Sequence, residues 1–187
     1  MNKEQALTEV QKLILDNTNQ HYDVTYQDID CINFVGYTKS HLDWGNFKDM
    51  VDWTDKKVID LSCFHGYFLF KAIEAGAQAD SLGLDISGTV LNTTRLINTA
   101  MGGKAVFREW KGGDYVPNCD IILCLNCLHH YTANIAQALV EISKAGKQII
   151  FEINNEQVPL IKEYFTVVKE KKSSRARRTV LLVKGVK

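Results

Sequence analysis

The sequence predicts an α/β fold built on a mostly parallel β-sheet, and three features of the 187-residue chain support that prediction. From Lys57 onward, short apolar segments alternate with segments of helical periodicity, which is the pattern of β-α-β units. The central apolar run is uninterrupted, as expected for a strand that helices cover on both faces. The last two strand-like runs are separated by a stretch too short for a parallel crossover. We therefore expect the sheet to end in an antiparallel hairpin.

Length and composition are those of an ordinary globular protein. With 45% hydrophobic residues, 24% charged residues and two prolines, the sequence is neither disordered nor fibrous in type. A chain of this length can bury its core without a disulfide or a metal. We expect a single domain over residues 1–187, with a cover segment at 1–52 and the core at 53–187.

The sequence also predicts a cellular location. The first residues do not form the basic and apolar regions of a secretion signal, and no apolar run approaches the ~18 residues that a membrane-spanning helix needs. The five cysteines are odd in number and favour reduced thiols. We expect a cytoplasmic protein with no membrane association.

The cover segment is predicted in two parts. Met1 to Asp16 has apolar residues at helical spacing and predicts an amphipathic helix. His21 to Asp52 contains scattered aromatic residues without a clear period, and we expect it to lie over the core.

The core is predicted to contain seven strands with helices between them, of which the last is a short helix at Glu156–Tyr164. Glycines at 76, 102 and 146 should end the first three helices, and Ser87 should cap the second. The predicted strands are Val58–Leu61, Ser81–Asp85, Ala105–Glu109, Ile121–Leu125, Gln148–Ile153, Phe165–Lys169 and Thr179–Lys184.

The first two strands carry the features of a nucleoside site. Val58 to Gly66 reads as a strand, a turn of small residues and the start of a helix, which lets the backbone approach a ligand. Asp85 ends the second strand, where a carboxylate can accept hydrogen bonds from both hydroxyls of a ribose.

Three segments then resemble a known family, in the order in which that family has them. Asp60 to Gly66 resembles the motif of class I S-adenosylmethionine-dependent methyltransferases, an acid two residues before a Gly-x-Gly-x-Gly turn. Gly83 to Ser87 resembles their ribose-binding strand end, and Cys119 to His130 resembles their fourth-strand motif. The resemblance covers about Trp44 to Lys184. It implies a three-layer, Rossmann-like sandwich whose seven-stranded sheet has the order 3-2-1-4-5-7-6 and an antiparallel last strand.

The resemblance implies S-adenosylmethionine as cofactor, S-adenosylhomocysteine as product and no metal. The first two glycines of the family turn are replaced here by Ser62 and Phe64, and Phe64 adds bulk. The implied contacts are Asp60, Ser62, Cys63 and Gly66 at the methionine part, Asp85 at the ribose, Ile86 on the adenine, Glu109 or Trp110 at the adenine edge, and Asn126 closing the site.

The acceptor side of the site is predicted less closely. His129 or His130 follows the fourth strand and can accept a proton from a hydroxyl acceptor, or one of them packs against the next helix. Tyr37, Trp44 and Tyr131 either wall the pocket or pack in the core.

Three functions remain open from the sequence. The first is methyl transfer to a small-molecule or nucleotide-like acceptor. The second is RNA or DNA methylation guided by the basic stretch Lys169 to Arg178, although that stretch also suits a solvated hairpin turn. The third is a non-catalytic domain that keeps the fold to bind a partner.

Two other kinds of site are disfavoured. A nicotinamide site needs a G-x-G-x-x-G turn, and this chain keeps one of the three glycines. Cys124 and Cys127, followed by His129 and His130, invite a zinc or redox site. Residues three apart on a strand are nevertheless expected to point to opposite faces.

Overall fold

The structure is a computed structural model that describes residues 1–17, 26–111, 114–131 and 135–185. Its strands are β1 (Val58–Leu61), β2 (Leu82–Asp85), β3 (Val106–Glu109), β4 (Cys119–Leu125), β5 (Gly146–Asn154), β6 (Thr166–Lys172) and β7 (Arg178–Lys184). They form one sheet in the order β3-β2-β1-β4-β5-β7-β6. β7 runs antiparallel to β5 and β6, whereas the other neighbours are parallel. The predicted fold class and strand order are confirmed.

Six α-helices accompany the sheet in the described residues. They are α1 (Lys3–Asn17), α2 (Ser40–Phe47), α3 (Tyr67–Glu74), α4 (Gly88–Met101), α5 (Ile135–Ala145) and α6 (Val158–Tyr164). The predicted helix at Glu156–Tyr164 begins as a 3₁₀ turn at Asn155–Gln157, and the predicted cover contains a helix, α2, that the sequence did not reveal. Part of that cover, residues 18–25, lies outside the described residues.

Capping residues set the bounds of α4 as the sequence predicts. Ser87 lies just before the helix, and its hydroxyl accepts a hydrogen bond from the Val90 amide at 3.3 Å. Gly102 follows the helix in the left-handed conformation, with φ 68°. The turn from β2 into α4 is therefore held in place at the point where a ligand would meet it.

Two apolar layers enclose the sheet. Neighbouring residues of one strand face opposite layers: Ile121 belongs to the layer of α1, α3 and α4, and Ile122 to the layer of α5 and α6. Both side chains are fully buried. The central strands are therefore covered on both faces, which explains why their sequences are continuously apolar.

No helix in the described part of the chain is long and apolar enough to cross a lipid bilayer.

Candidate functional site

A cavity of about 1300 Å³ opens where the parallel strands β1, β2 and β4 end. This edge is where open α/β sheets usually bind their ligands, because the connecting loops diverge there. The predicted site residues that line the cavity are Asp60, Ser62, Asp85, Ile86, Trp110, Asn126, His129 and His130.

Three predicted cofactor contacts do not line the cavity. The Cys63 side chain is fully buried in the apolar layer of α3 and α4. Gly66 faces that layer as well, since an added Cβ would lie 3.2 Å from Phe70, Phe107 and Thr94 side chains. Glu109 is exposed at the end of β3. The three residues were predicted as cofactor contacts from their positions in the motifs. In the structure, none of them lines the cavity.

The turn after β1 alternates between ordinary and left-handed backbone. Ser62, Phe64 and Gly66 have φ of 56°, 51° and 80°. These are the three positions at which the resembled family has glycine, the residue that adopts positive φ without steric cost. Ser62 and Phe64 take the same conformation although each carries a side chain. The turn therefore has positive φ at all three positions, with glycine at only one of them.

Asp85 fixes that turn from the neighbouring strand. One carboxylate oxygen accepts a hydrogen bond from the Phe64 amide and the other from the Ser87 amide, both at 3.0 Å. Each oxygen keeps a second acceptor position. The carboxylate lines the cavity and so fits the paired hydroxyls of a ribose.

Asp60 presents an unpaired acceptor to the same cavity. Its side chain is 2% exposed, and Oδ2 is buried without a hydrogen-bond partner in the described structure. Burial raises the pKa of Asp60 well above its usual range, and the nearby acidic groups of Cys127 and Asp85 raise it further. A cationic ligand group would both supply the missing partner and favour the ionised carboxylate. Asp60 therefore fits the amino group of an amino-acid ligand.

Tyr131 connects the turn to the far wall of the cavity. Its hydroxyl lies 2.6 Å from the Ser62 hydroxyl, and its ring meets Trp110 edge-on with the centroids 5.4 Å apart. Burial raises the pKa of the Tyr131 phenol, so the group stays protonated. Tyr131 thus walls the pocket and packs in the core, the two roles that the sequence left as alternatives. Trp44 packs against Phe47 and Trp53 and does not line the cavity.

The side chains of Cys124 in β4 and Cys127 just after it do not point apart, so that expectation was wrong. Asn126 has φ 54° and turns the chain directly after the strand, which brings the sulfurs of Cys124 and Cys127 to 3.3 Å. Burial raises the pKa of the Cys124 thiol well above its usual range and keeps it protonated. The described residues contain no group of three or more His, Cys, Asp or Glu side chains arranged to hold a metal ion.

His129 and His130 lie together in the 3₁₀ turn at Leu128–Tyr131, with ring centroids 3.9 Å apart. Both are exposed and both line the cavity. Partial burial lowers the pKa of His129, and the positive charges of His130 and Arg178 lower it further. The His129 imidazole is therefore neutral near neutral pH and able to accept a proton.

The hairpin between β6 and β7 forms a wall that sequence analysis missed. Arg175 donates from Nε to Asp43 Oδ1 at 2.9 Å and from Nη2 to the other oxygen of that carboxylate. Glu152 accepts a hydrogen bond from the Ser173 hydroxyl at 2.5 Å. Most of the hairpin is solvent-exposed, as the sequence suggested, but Ser173 is buried and Arg175 is turned toward the Asp43 carboxylate of α2. The sequence of charges in this stretch does not distinguish the arginine that pairs with Asp43, Arg175, from the exposed Arg177.

Comparison with known proteins agrees with this architecture. No family model and no curated protein sequence matches the chain. Solved structures do match, among them magnesium protoporphyrin IX methyltransferase from Synechocystis with bound S-adenosylmethionine, at 18% identity and a TM-score of 0.63 over 78% of this chain and 76% of that one. The chain has the class I methyltransferase fold.

Other similar structures include one whose name gives a protein acceptor and one whose name gives no acceptor. Ribosomal protein L11 methylase from Lactobacillus delbrueckii has 20% identity and a TM-score of 0.58, over 76% of each chain. The PH0226 protein of Pyrococcus horikoshii has 16% identity and a TM-score of 0.69, over 86% of this chain and 95% of that one. The methyltransferase fold is thus shared by proteins with unrelated acceptors.

Proposed function

We propose that this protein is an S-adenosylmethionine-dependent methyltransferase that acts on a small-molecule or nucleotide-like acceptor. The observation that carries the proposal is the turn after β1. Ser62 and Phe64 keep positive φ in place of glycine, and the Asp85 carboxylate holds the Phe64 amide. Unfavourable backbone conformations persist only where the surrounding contacts hold them in place. Such positions cluster at ligand-binding and active sites.

The cavity residues suit the parts of the cofactor in order. The unpaired Asp60 carboxylate suits the amino group of the methionine part, and Asp85 suits the ribose hydroxyls. Ile86 is 70% exposed at the cavity, so its side chain offers an apolar face to the adenine ring, with Trp110 on the adjoining wall. S-Adenosylmethionine supplies an electrophilic methyl group on a sulfonium and departs as S-adenosylhomocysteine.

The residues of this chain would contribute chiefly by positioning. Holding donor and acceptor in line can supply roughly 7 to 11 kcal/mol of the barrier in favourable cases. The neutral His129 imidazole can take the proton that a hydroxyl acceptor loses as it is methylated. His130 stays the alternative base, because it lies beside His129 and lines the same cavity.

Calorimetric titration with S-adenosylmethionine and S-adenosylhomocysteine tests the proposal. We expect binding to the wild type and its loss in Asp85→Asn, which removes one carboxylate oxygen from the ribose site. Asp80→Asn is the matched control, because Asp80 is a surface carboxylate paired with Lys57. No binding to the wild type would contradict the proposal. Binding without methyl transfer to any acceptor in a screen would favour the non-catalytic alternative.

The nucleic-acid alternative is less well supported. Of the arginines in the basic stretch, Arg175 is paired with Asp43 and Arg178 lines the cavity. Lys171, Lys172 and Arg177 are left exposed on the hairpin. A steep loss of nucleic-acid binding with added salt would revive this alternative.

A further inference from the structure

We infer that the acceptor carries an anionic group, a carboxylate or a phosphate, and that Arg178 binds it. The identity of this ligand as the acceptor rests on the proposed methyltransferase function. The anion site itself rests on the surroundings of Arg178.

Arg178 is an unpaired cation in the wall of the cavity. It begins β7 opposite Asn154 at the end of β5, and it lines the cavity. Its Nη1 atom is buried without a hydrogen-bond partner, and no acidic side chain in the described part of the chain forms an ion pair with it. An enclosed charged donor without a partner is costly. A ligand anion would remove that cost.

No neighbouring acidic side chain in the described residues forms an ion pair with Arg178. Arg175, in the same hairpin, takes the buried Asp43 carboxylate with two of its nitrogens. Glu152 also lines the cavity, and its Oε1 accepts a hydrogen bond from Ser173. Burial raises the pKa of its carboxyl, and the charge of Arg178 lowers that pKa by a smaller amount. Arg175 and Arg178 thus both line the cavity. Arg175 pairs with Asp43, whereas Arg178 is available to bind a ligand anion.

The position of Arg178 suits the acceptor rather than the cofactor. The methionine part is assigned to the end of β1, and β7 lies three strand spacings away in the sheet, about 14 Å. The charge of Arg178 acts on His129, the proposed proton acceptor, as well as on Glu152. An anion bound to the guanidinium by two parallel hydrogen bonds would therefore orient the acceptor beside His129.

Three small probes test this inference: benzoate, phenyl phosphate and the uncharged benzamide. Each is titrated calorimetrically into the wild type, Arg178→Gln and Arg177→Gln, with and without saturating S-adenosylhomocysteine, at constant ionic strength. Arg177 is the matched control, since its exposed side chain is adjacent in sequence and its replacement changes the net charge equally. Thermal unfolding of each variant shows whether it is folded.

We expect at least one of the two anions to bind the wild type with S-adenosylhomocysteine present, and benzamide to bind at least about tenfold more weakly. Arg178→Gln should weaken anion binding by about tenfold or more, and Arg177→Gln should leave it unchanged. The tighter of the two anions identifies the group as carboxylate or phosphate.

Equal anion binding by Arg178→Gln and the wild type, or no anion binding at all, would overturn the inference. Loss of anion binding once S-adenosylhomocysteine is bound would also overturn it, because Arg178 would then belong to the cofactor site. Anion binding that needs Arg178 in a protein that does not bind S-adenosylhomocysteine would retain the anion site and reject the methyltransferase proposal.

Discussion

Ser62 and Phe64 adopt the left-handed backbone conformation although both carry a side chain. A residue with a Cβ pays roughly 1–2 kcal/mol in the left-handed region. Hydrogen bonds from outside the turn offset that cost, namely Phe64 N–H to Asp85 and the Thr94 hydroxyl to the Phe64 carbonyl at 2.7 Å. The ring of Phe64 adds an edge-on contact with Tyr26.

The positive φ of Phe64 predicts that a glycine variant at this position is more stable than an alanine variant. Phe64→Gly and Phe64→Ala both remove the ring, but only glycine relieves the backbone at φ 51°. After allowing for the greater freedom of glycine in the unfolded chain, we expect the glycine variant to be more stable by about 1 kcal/mol. Urea unfolding of the two variants measures this difference. A more stable alanine variant would show that the turn is not strained at this position.

His65 predicts a loss of stability in acid. The side chain is buried, Nδ1 has no partner, and burial lowers the pKa of His65 from 6.5 to about 4. Between pH 6.5 and 4, His65 binds a proton in the unfolded chain but not in the folded protein. The free energy of unfolding therefore falls as the pH is lowered through this range. The shift corresponds to about 3 kcal/mol.

The comparison of His65→Phe with the wild type isolates this effect. We expect the free energy of unfolding of the variant to fall less steeply over the same pH range. His130→Gln, which alters an exposed histidine, should follow the wild type. Parallel curves for all three proteins would show that His65 titrates normally in the folded state.

At the scale of elements, the β6–β7 hairpin is fastened to α2. Arg175 pairs with Asp43, and the amide of Ser174 donates to Asn46 at 3.2 Å. Asp43 is 2% exposed as a side chain and Arg175 24%. The pair is therefore largely shielded from water, and it joins two segments that are distant in sequence. This contact closes one side of the cavity.

Breaking that pair should destabilise the protein strongly. Arg175→Gln leaves a buried carboxylate without its counter-charge and should cost about 3 kcal/mol. Arg177→Gln, on the exposed side of the hairpin, should lie within about 0.5 kcal/mol of the wild type. Urea unfolding with the Asp43→Asn and Asp43→Asn/Arg175→Gln variants completes a double-mutant cycle. Additive losses would mean that the two side chains do not interact.

At the scale of the whole molecule, the cavity joins groups from both ends of the chain, including Tyr26 and Arg178. A ligand that binds there would stabilise the folded state as a whole. A hundredfold excess of S-adenosylhomocysteine over its Kd should add about 2.7 kcal/mol to the free energy of unfolding. Thermal unfolding should show this as a rise in Tm for the wild type and none for Asp85→Asn at the same concentration. An equal rise with NADH would indicate that the site does not select the cofactor proposed here.

Most of the fold was predictable because short sequence patterns determine the individual strands and the ends of the helices. The uninterrupted apolar run of β4, the Ser87 cap and the glycine at 102 each act within a few residues, and the structure keeps all three. Asp60, which the family resemblance implied, and Asp85 both line the cavity for a related reason. Both belong to parallel strands that end at the same edge of the sheet, so the strand pattern alone brings them together.

The parts that the sequence could not predict depend on contacts between distant segments. Cys63 and Glu109 were predicted as cofactor contacts, yet Cys63 is buried in an apolar layer, Glu109 is exposed at the end of β3, and neither lines the cavity. Arg175 and Arg177 look equivalent in a basic run, yet only Arg175 meets the carboxylate of α2.

The sequence by itself determined the order of the elements and the edge of the sheet at which Asp60 and Asp85 line a cavity, because periodicity and strand ends are local properties. The tertiary structure alone decided that Arg175 pairs with Asp43 and that Arg178 has no ion-pair partner in the described residues. That outcome depends on the juxtaposition of the hairpin, α2 and β5, and no local pattern encodes it.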